Sequence, residues 1–175
     1  MRHFKNILYV LRGTSTDTAG LKQAVALAQN NQSHLTVMAF IPDFPKGMQA
    51  DQDKYRDLLI EDMKGAVSTI ADIDVTFDAQ TDKTPAIRII QTVIKNGHDL
   101  VIKDPEMPDS QKGFMAMDMD LMRKCPCPVW LCKPEVHVDN ITKIAVAIDP
   151  RSDEPSATEM SKRMIEISQS LAEKY

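Results

Sequence analysis

Cys125, Cys127, Cys132 and His137 fall in one short stretch, and thiolate with imidazole is the donor set that tetrahedral zinc takes. The spacing does not suit it. Structural zinc sites usually pair cysteines two to four residues apart. Cys127 and Cys132 differ by five positions, so on one extended strand they face opposite sides. Pro126 and Pro128 stiffen the approach as well. Buried structural thiols are expected, and no metal. The histidines at 3, 34, 98 and 137 sit near expected strand ends. Neither Gly-x-Ser-x-Gly nor His-Glu-x-x-His occurs. His98-Asp99 has the composition of a charge-paired base, but adjacent strand residues point opposite ways, and a polar turn before a strand explains the pair better. No catalytic residue is assigned.

Methionine supplies a second constellation. Phe114, Met117 and Leu121 share one helical face, while Met115, Met119 and Met122 lie on another. That exceeds the single stripe a core-facing helix needs. Either both faces are buried, one by a sheet and one by a second domain, or the thioethers line a pocket for an apolar or acyl ligand.

These residues must be positioned by a regular framework. Ile7-Leu8-Tyr9-Val10-Leu11 is a continuous apolar run, the mark of a strand covered on both faces in a parallel sheet. Thr14 to Asp17 offer N-caps, and Leu21, Ala24, Val25, Leu27 and Ala28 repeat at helical spacing. Leu35–Ile41 reads as strand two, and Asp51–Ile70 as a long helix. Ile73–Asp78 alternates with period two and is placed at a sheet edge. Thr84-Pro85 starts a helix that Asn96-Gly97 ends, with Ile87, Ile90, Val93 and Ile94 as its stripe. Leu100–Ile102 is strand four. After an irregular stretch and a short helix, Val129–Cys132 is strand five. The order βαβαβαβαβ over residues 1–133 implies α/β architecture: a doubly wound, parallel, five-stranded sheet with right-handed crossovers. Its ligand site is expected at the carboxyl ends of strands one and four.

Composition agrees with a folded domain. The chain has 175 residues, 26% of them charged, and a net charge of −4. That balance argues against nucleic acid or an anionic membrane as partner. No apolar run approaches the ~20 residues of a membrane span. The first six residues lack the plan of a secretory signal, and three cysteines cannot all pair, so a reducing cytoplasm is expected.

The pattern then restarts. Residues 134–140 read as a linker, and Lys143–Asp149 matches Asn6–Arg12 position for position in polarity. Met160, Met164, Ile167 and Leu171 follow at helical spacing. Residues 141–175 are therefore read as one extra βα unit, the first strand and helix of a second, truncated domain.

His98-Asp99-Leu100-Val101-Ile102-Lys103, followed by Leu121-Met122-Arg123-Lys124-Cys125-Pro126-Cys127-Pro128-Val129-Trp130, resembles the universal stress protein family, most closely its E-type tandem-domain members. The resemblance implies an adenine nucleotide alpha-hydrolase-like fold with strand order 3-2-1-4-5 and a role in stress response. It also implies a homodimer or tandem pseudo-dimer through strand five, at Val129, Trp130 and Leu131. One branch of the family binds ATP through an aspartate ending strand one and a Gly-x-x-Gly-x9-Gly-Ser/Thr loop after strand four. Here Arg12, followed by Gly13, stands at the aspartate position. The loop from Asp104 to Gly113 has one glycine, two prolines without N–H groups, and three carboxylates that would repel a triphosphate. ATP is not expected, and the first domain reads as a degenerate nucleotide site. Asp149 takes the matching place in the second copy, where it is either an adenosine contact or a strand-end carboxylate. The leading reading is a non-enzymatic stress protein acting through dimer or domain–domain contacts. The alternatives are an ATP-binding, weakly hydrolysing protein that uses Asp149 and a second domain, and a carrier of a small apolar ligand.

Overall fold

The structure, a computed structural model, describes residues 4–11, 13–81, 85–105, 116–132, 144–148 and 154–172. Within Arg2–Glu135, one of two compact units, helices and strands alternate. Their order is β1 (Asn6–Val10), α1 (Ala19–Asn31), β2 (His34–Phe40), α2 (Gln49–Ile70), β3 (Val75–Gln80), α3 (Pro85–Asn96), β4 (Leu100–Lys103), α4 (Ala116–Lys124) and β5 (Val129–Leu131). All ladders are parallel and the strand order is β3-β2-β1-β4-β5. This is the doubly wound sheet that the sequence pattern implied.

The central strands are largely apolar because right-handed crossovers put helices on both faces. Alternate residues of β1 serve opposite layers. Leu8 and Val10 join Met38, Ile89, Val93, Val101 and Leu121 in the core under α3 and α4. Tyr9 turns the other way, toward the start of α1. Its register partners are Val37 on β2 and Ile102 on β4. The chain reverses direction across the sheet at β1 and β4, so their carboxyl ends flank the topological switch point.

Several expectations shift. Helix α1 is capped by Thr18 rather than by one of residues 14–17. Of the stripe expected on α3, Val93 is buried but Ile87 and Ile94 are exposed, Ile89 taking the core position. The third strand is Val75–Gln80 rather than Ile73–Asp78, because β2 extends to Phe40 and pairs Leu35 with Val75 through Phe40 with Gln80. Residues 71–74 serve instead as the connection from α2. It is an edge strand, as its alternation indicated, with Ala79 its one buried residue. In the second unit, Val136–Tyr175, helix α5 (Pro155–Ala172) forms where expected. Residues 144–148 are described but carry no strand. A strand exists only through backbone pairing with a neighbour, and none pairs there among the described residues. Among the described residues no helix is long and apolar enough to cross a membrane.

Candidate functional site

The switch point is built by residues of four elements. Tyr9 lies near the end of β1, fully buried, and its hydroxyl donates to Asp104 Oδ2 at 2.6 Å. A second 2.6 Å contact joins the same hydroxyl to Thr18 Oγ1. Since the carboxylate takes the tyrosine proton, the threonine hydroxyl donates to the tyrosine oxygen. Thr18 caps α1, its oxygen accepting the Leu21 N–H at 3.1 Å. Asp104, directly after β4, completes the ring by accepting the Gly20 N–H at 3.1 Å on Oδ1. Two of the open N–H groups in the first turn of α1 are thus held by Thr18 and Asp104. The carboxylate sits where the helix dipole favours negative charge. Burial, then the bond to Asp104, pushes the Tyr9 hydroxyl far above its ordinary range, so it stays a donor.

Gly20 is what lets the ring close. A Cβ there would stand 2.6 Å from Asp104 Oδ1 and 2.9 Å from its Cγ, closer than packed carbons come. The glycine is therefore fixed by close approach, not by a turn.

Beside this ring, Lys103 is the last residue of β4 and 1% exposed. Its Nζ donates to Asp118 Oδ1 at 2.8 Å and to the Asp104 carbonyl at 3.0 Å. Asp118 is itself fully buried, in the first turn of α4, where its charge also complements the helix dipole. An ammonium and a carboxylate survive burial only as a hydrogen-bonded pair, and this one ties α4 to the end of β4. The Lys103 carbonyl accepts the Cys132 N–H at 2.9 Å, linking the end of β5 to the same point.

The sequence-predicted residues are distributed unevenly. Asp104 is at the centre of the site, with a role that the loop comparison did not foresee. Gly13 lies in an exposed turn after β1, at φ 62°. Arg12, Gly113, Phe114, Met115, His137 and Asp149 lie outside the described residues. Met117 and Val129 pack against the core cluster, Met119, Trp130 and Leu131 are half-buried, and Met122 is 43% exposed. Met117 and Met122 thus do not share one environment. Tyr9, Thr18, Gly20, Lys103 and Asp118 were not singled out from sequence. Two carried a signal: a lysine closing an apolar strand, and a glycine in the first turn of an alanine-rich helix.

Cys132 is buried, as expected, and burial and then nearby Asp104 push its thiol up to about 12. Cys125 and Cys127 are less buried than expected: both are half-buried and pack against the core cluster, with their sulfurs 3.6 Å apart. No group of three or more metal-ligating side chains occurs among the described residues. His98, before β4, is buried and its Nε2 lies 3.1 Å from Thr36 Oγ1, a structural contact. Asp99 accepts the Lys5 and Asn6 N–H groups at 2.7 and 3.1 Å, pinning the start of β1.

Comparison with known proteins places this geometry. Residues 3–133 match the model of the universal stress protein family. Universal stress protein E of Photorhabdus laumondii is 27% identical over 187 residues, covering 98% of this chain and 59% of that protein. The chain thus spans less than two thirds of this curated relative. Among solved structures, a functionally unknown protein from Pseudomonas aeruginosa PAO1 superposes with a TM-score of 0.63 at 21% identity, over 98% of this chain and 57% of the other. A universal stress protein in complex with cAMP superposes with a TM-score of 0.57 at 10% identity, over 75% of this chain and 98% of that one.

Proposed function

The chain belongs to the universal stress protein family, and from that premise we propose that it is a non-enzymatic stress-response protein whose switch point is closed by its own side chains. One observation carries this reading. The Asp104 carboxylate is buried at the first turn of α1, bonded to the Gly20 N–H and the Tyr9 hydroxyl. A nucleotide phosphate approaching these donors meets a negative charge already in place. In the sequence that follows, Pro105 and Pro108 carry no N–H to offer a phosphate, and Glu106 and Asp109 carry charge of the same sign as a phosphate.

The domain then acts through contacts. β5 is an edge strand, paired on one side with β4, and its Trp130 and Leu131 are half-buried. We take strand five as the surface that meets a second copy or a second domain of the same fold. The apolar residues of α5, with Met160, Met164 and Ile165 exposed, support a second domain that would cover them. The fraction of the curated relative spanned by this chain points the same way.

Thermal unfolding with and without ligand tests the closed switch point. A ligand at a hundredfold its Kd stabilises the native state by about 2.7 kcal/mol. No shift in Tm with millimolar ATP–Mg or cAMP is expected. A saturable rise with either one overturns the reading.

A further inference from the structure

The half-buried pair Cys125 and Cys127 is used by nothing described so far. Cys125 directly follows α4 and its N–H donates to the Leu121 carbonyl at 2.9 Å. Three residues on, directly before β5, the Pro128 carbonyl accepts the Val101 N–H at 3.0 Å. The tripeptide is therefore held by the helix on one side and by the sheet on the other, with Pro126 restricting the backbone between them. This frame sets the sulfurs 3.6 Å apart. A disulfide brings them to about 2.05 Å, a closure of roughly 1.5 Å within reach of side-chain rotation.

We propose that Cys125 and Cys127 form a redox-active dithiol, oxidised reversibly to an intrachain disulfide by exchange with a small-molecule disulfide of the glutathione type. Attack and resolution have distinct donors. Sharing one proton between sulfurs 3.6 Å apart lowers one thiol and raises the other, and the balance favours Cys125 as the thiolate, at about 7. Cys125 is thus the thiolate available near neutrality, and a thiol of that character is both populated and nucleophilic. Its sulfur attacks one sulfur of the oxidant, RSSR, forming a mixed disulfide and expelling RS−. Cys127 then loses its proton and attacks the Cys125 sulfur, expelling the second RS−. The protein loses two electrons and two protons, and the oxidant becomes two RSH. Cys132, buried and with its thiol pushed up to about 12, stays reduced. The bond would join the end of α4 to the lead-in of β5.

The test uses the whole chain with oxidised glutathione as probe, followed by unfolding, alkylation and intact-mass measurement. Alkylatable thiols are expected to fall from three to one in the parent chain and from two to none in Cys132→Ala, each with the loss of two hydrogens. Dithiothreitol should restore all three. Cys127→Ser, lacking the resolving thiol, should stop at a single glutathione adduct on Cys125. A parent chain that keeps three free thiols, or holds a stable glutathione adduct, overturns the proposal. So does an oxidation that Cys132→Ala abolishes.

Discussion

Replacing Gly20 by alanine should destabilise the protein, although the same change in most helices does the opposite. Gly20 is in the first turn of α1, fully buried, and a methyl there lies 2.6 Å from Asp104 Oδ1. To reach an ordinary contact of 3.4 Å the carboxylate must retreat by about 0.8 Å. The Gly20 N–H to Oδ1 distance, now 3.1 Å, would then leave hydrogen-bonding range, and the 2.6 Å bond from Tyr9 would be strained with it. Moving the helix instead is no easier, since Leu21, Ala24 and Val25 are fully buried. A hydrogen bond to a charged group is worth about 1.5–3 kcal/mol, and exchanging glycine for alanine in a helix gains at most about 1 kcal/mol. A net loss of about 1–2 kcal/mol is expected in urea unfolding, followed by the single tryptophan, Trp130. The decisive comparison is a double-mutant cycle with Asp104→Ala. With the carboxylate gone, Gly20→Ala should be neutral or stabilising. An equal cost in both backgrounds, or no cost in the parent chain, would refute the packing argument.

Other consequences follow from the same residues. Asp118→Asn leaves the buried Lys103 ammonium without its counter-charge and should cost about 3 kcal/mol in denaturant unfolding, whereas Lys103→Met with Asp118→Leu should recover most of it; a single substitution costing under about 1 kcal/mol would count against a buried ion pair. Burial holds His98 below its ordinary 6.5, with His34 acting in the same direction and the Thr92 backbone and Asp99 opposing. The unfolded chain therefore binds that proton first, and stability should fall as pH drops through 6.5 and level off once the folded protein is protonated too. His98→Gln should flatten that slope, and an unchanged slope would place its origin elsewhere. If strand five is the contact surface, light scattering should find a dimer of this chain; a monomer at every concentration would contradict it.

Much of the architecture was legible because burial on both faces leaves an unmistakable signature in β1, β2 and β4. The half-exposed β3 was displaced by two residues, since an alternating pattern sets which face is buried but not where pairing begins. The strand expected over 144–148 needs a pairing neighbour, and polarity alone does not say which chain or domain supplies it. At the switch point, the poverty of Asp104–Gly113 in phosphate donors could be seen directly. What Asp104 does could not, because its partners Tyr9 and Gly20 are 95 and 84 positions away in sequence. The Cys125–Cys127 pair was legible as a spacing, but the partial burial and close sulfurs depend on how α4 hands over to β5.

The most direct measurement is native mass spectrometry of the purified chain in excess ATP–Mg. If Asp104 closes the switch point, every charge state should carry the mass of nucleotide-free protein. A stoichiometric ATP adduct would contradict that, showing that phosphate reaches the site despite the carboxylate held there.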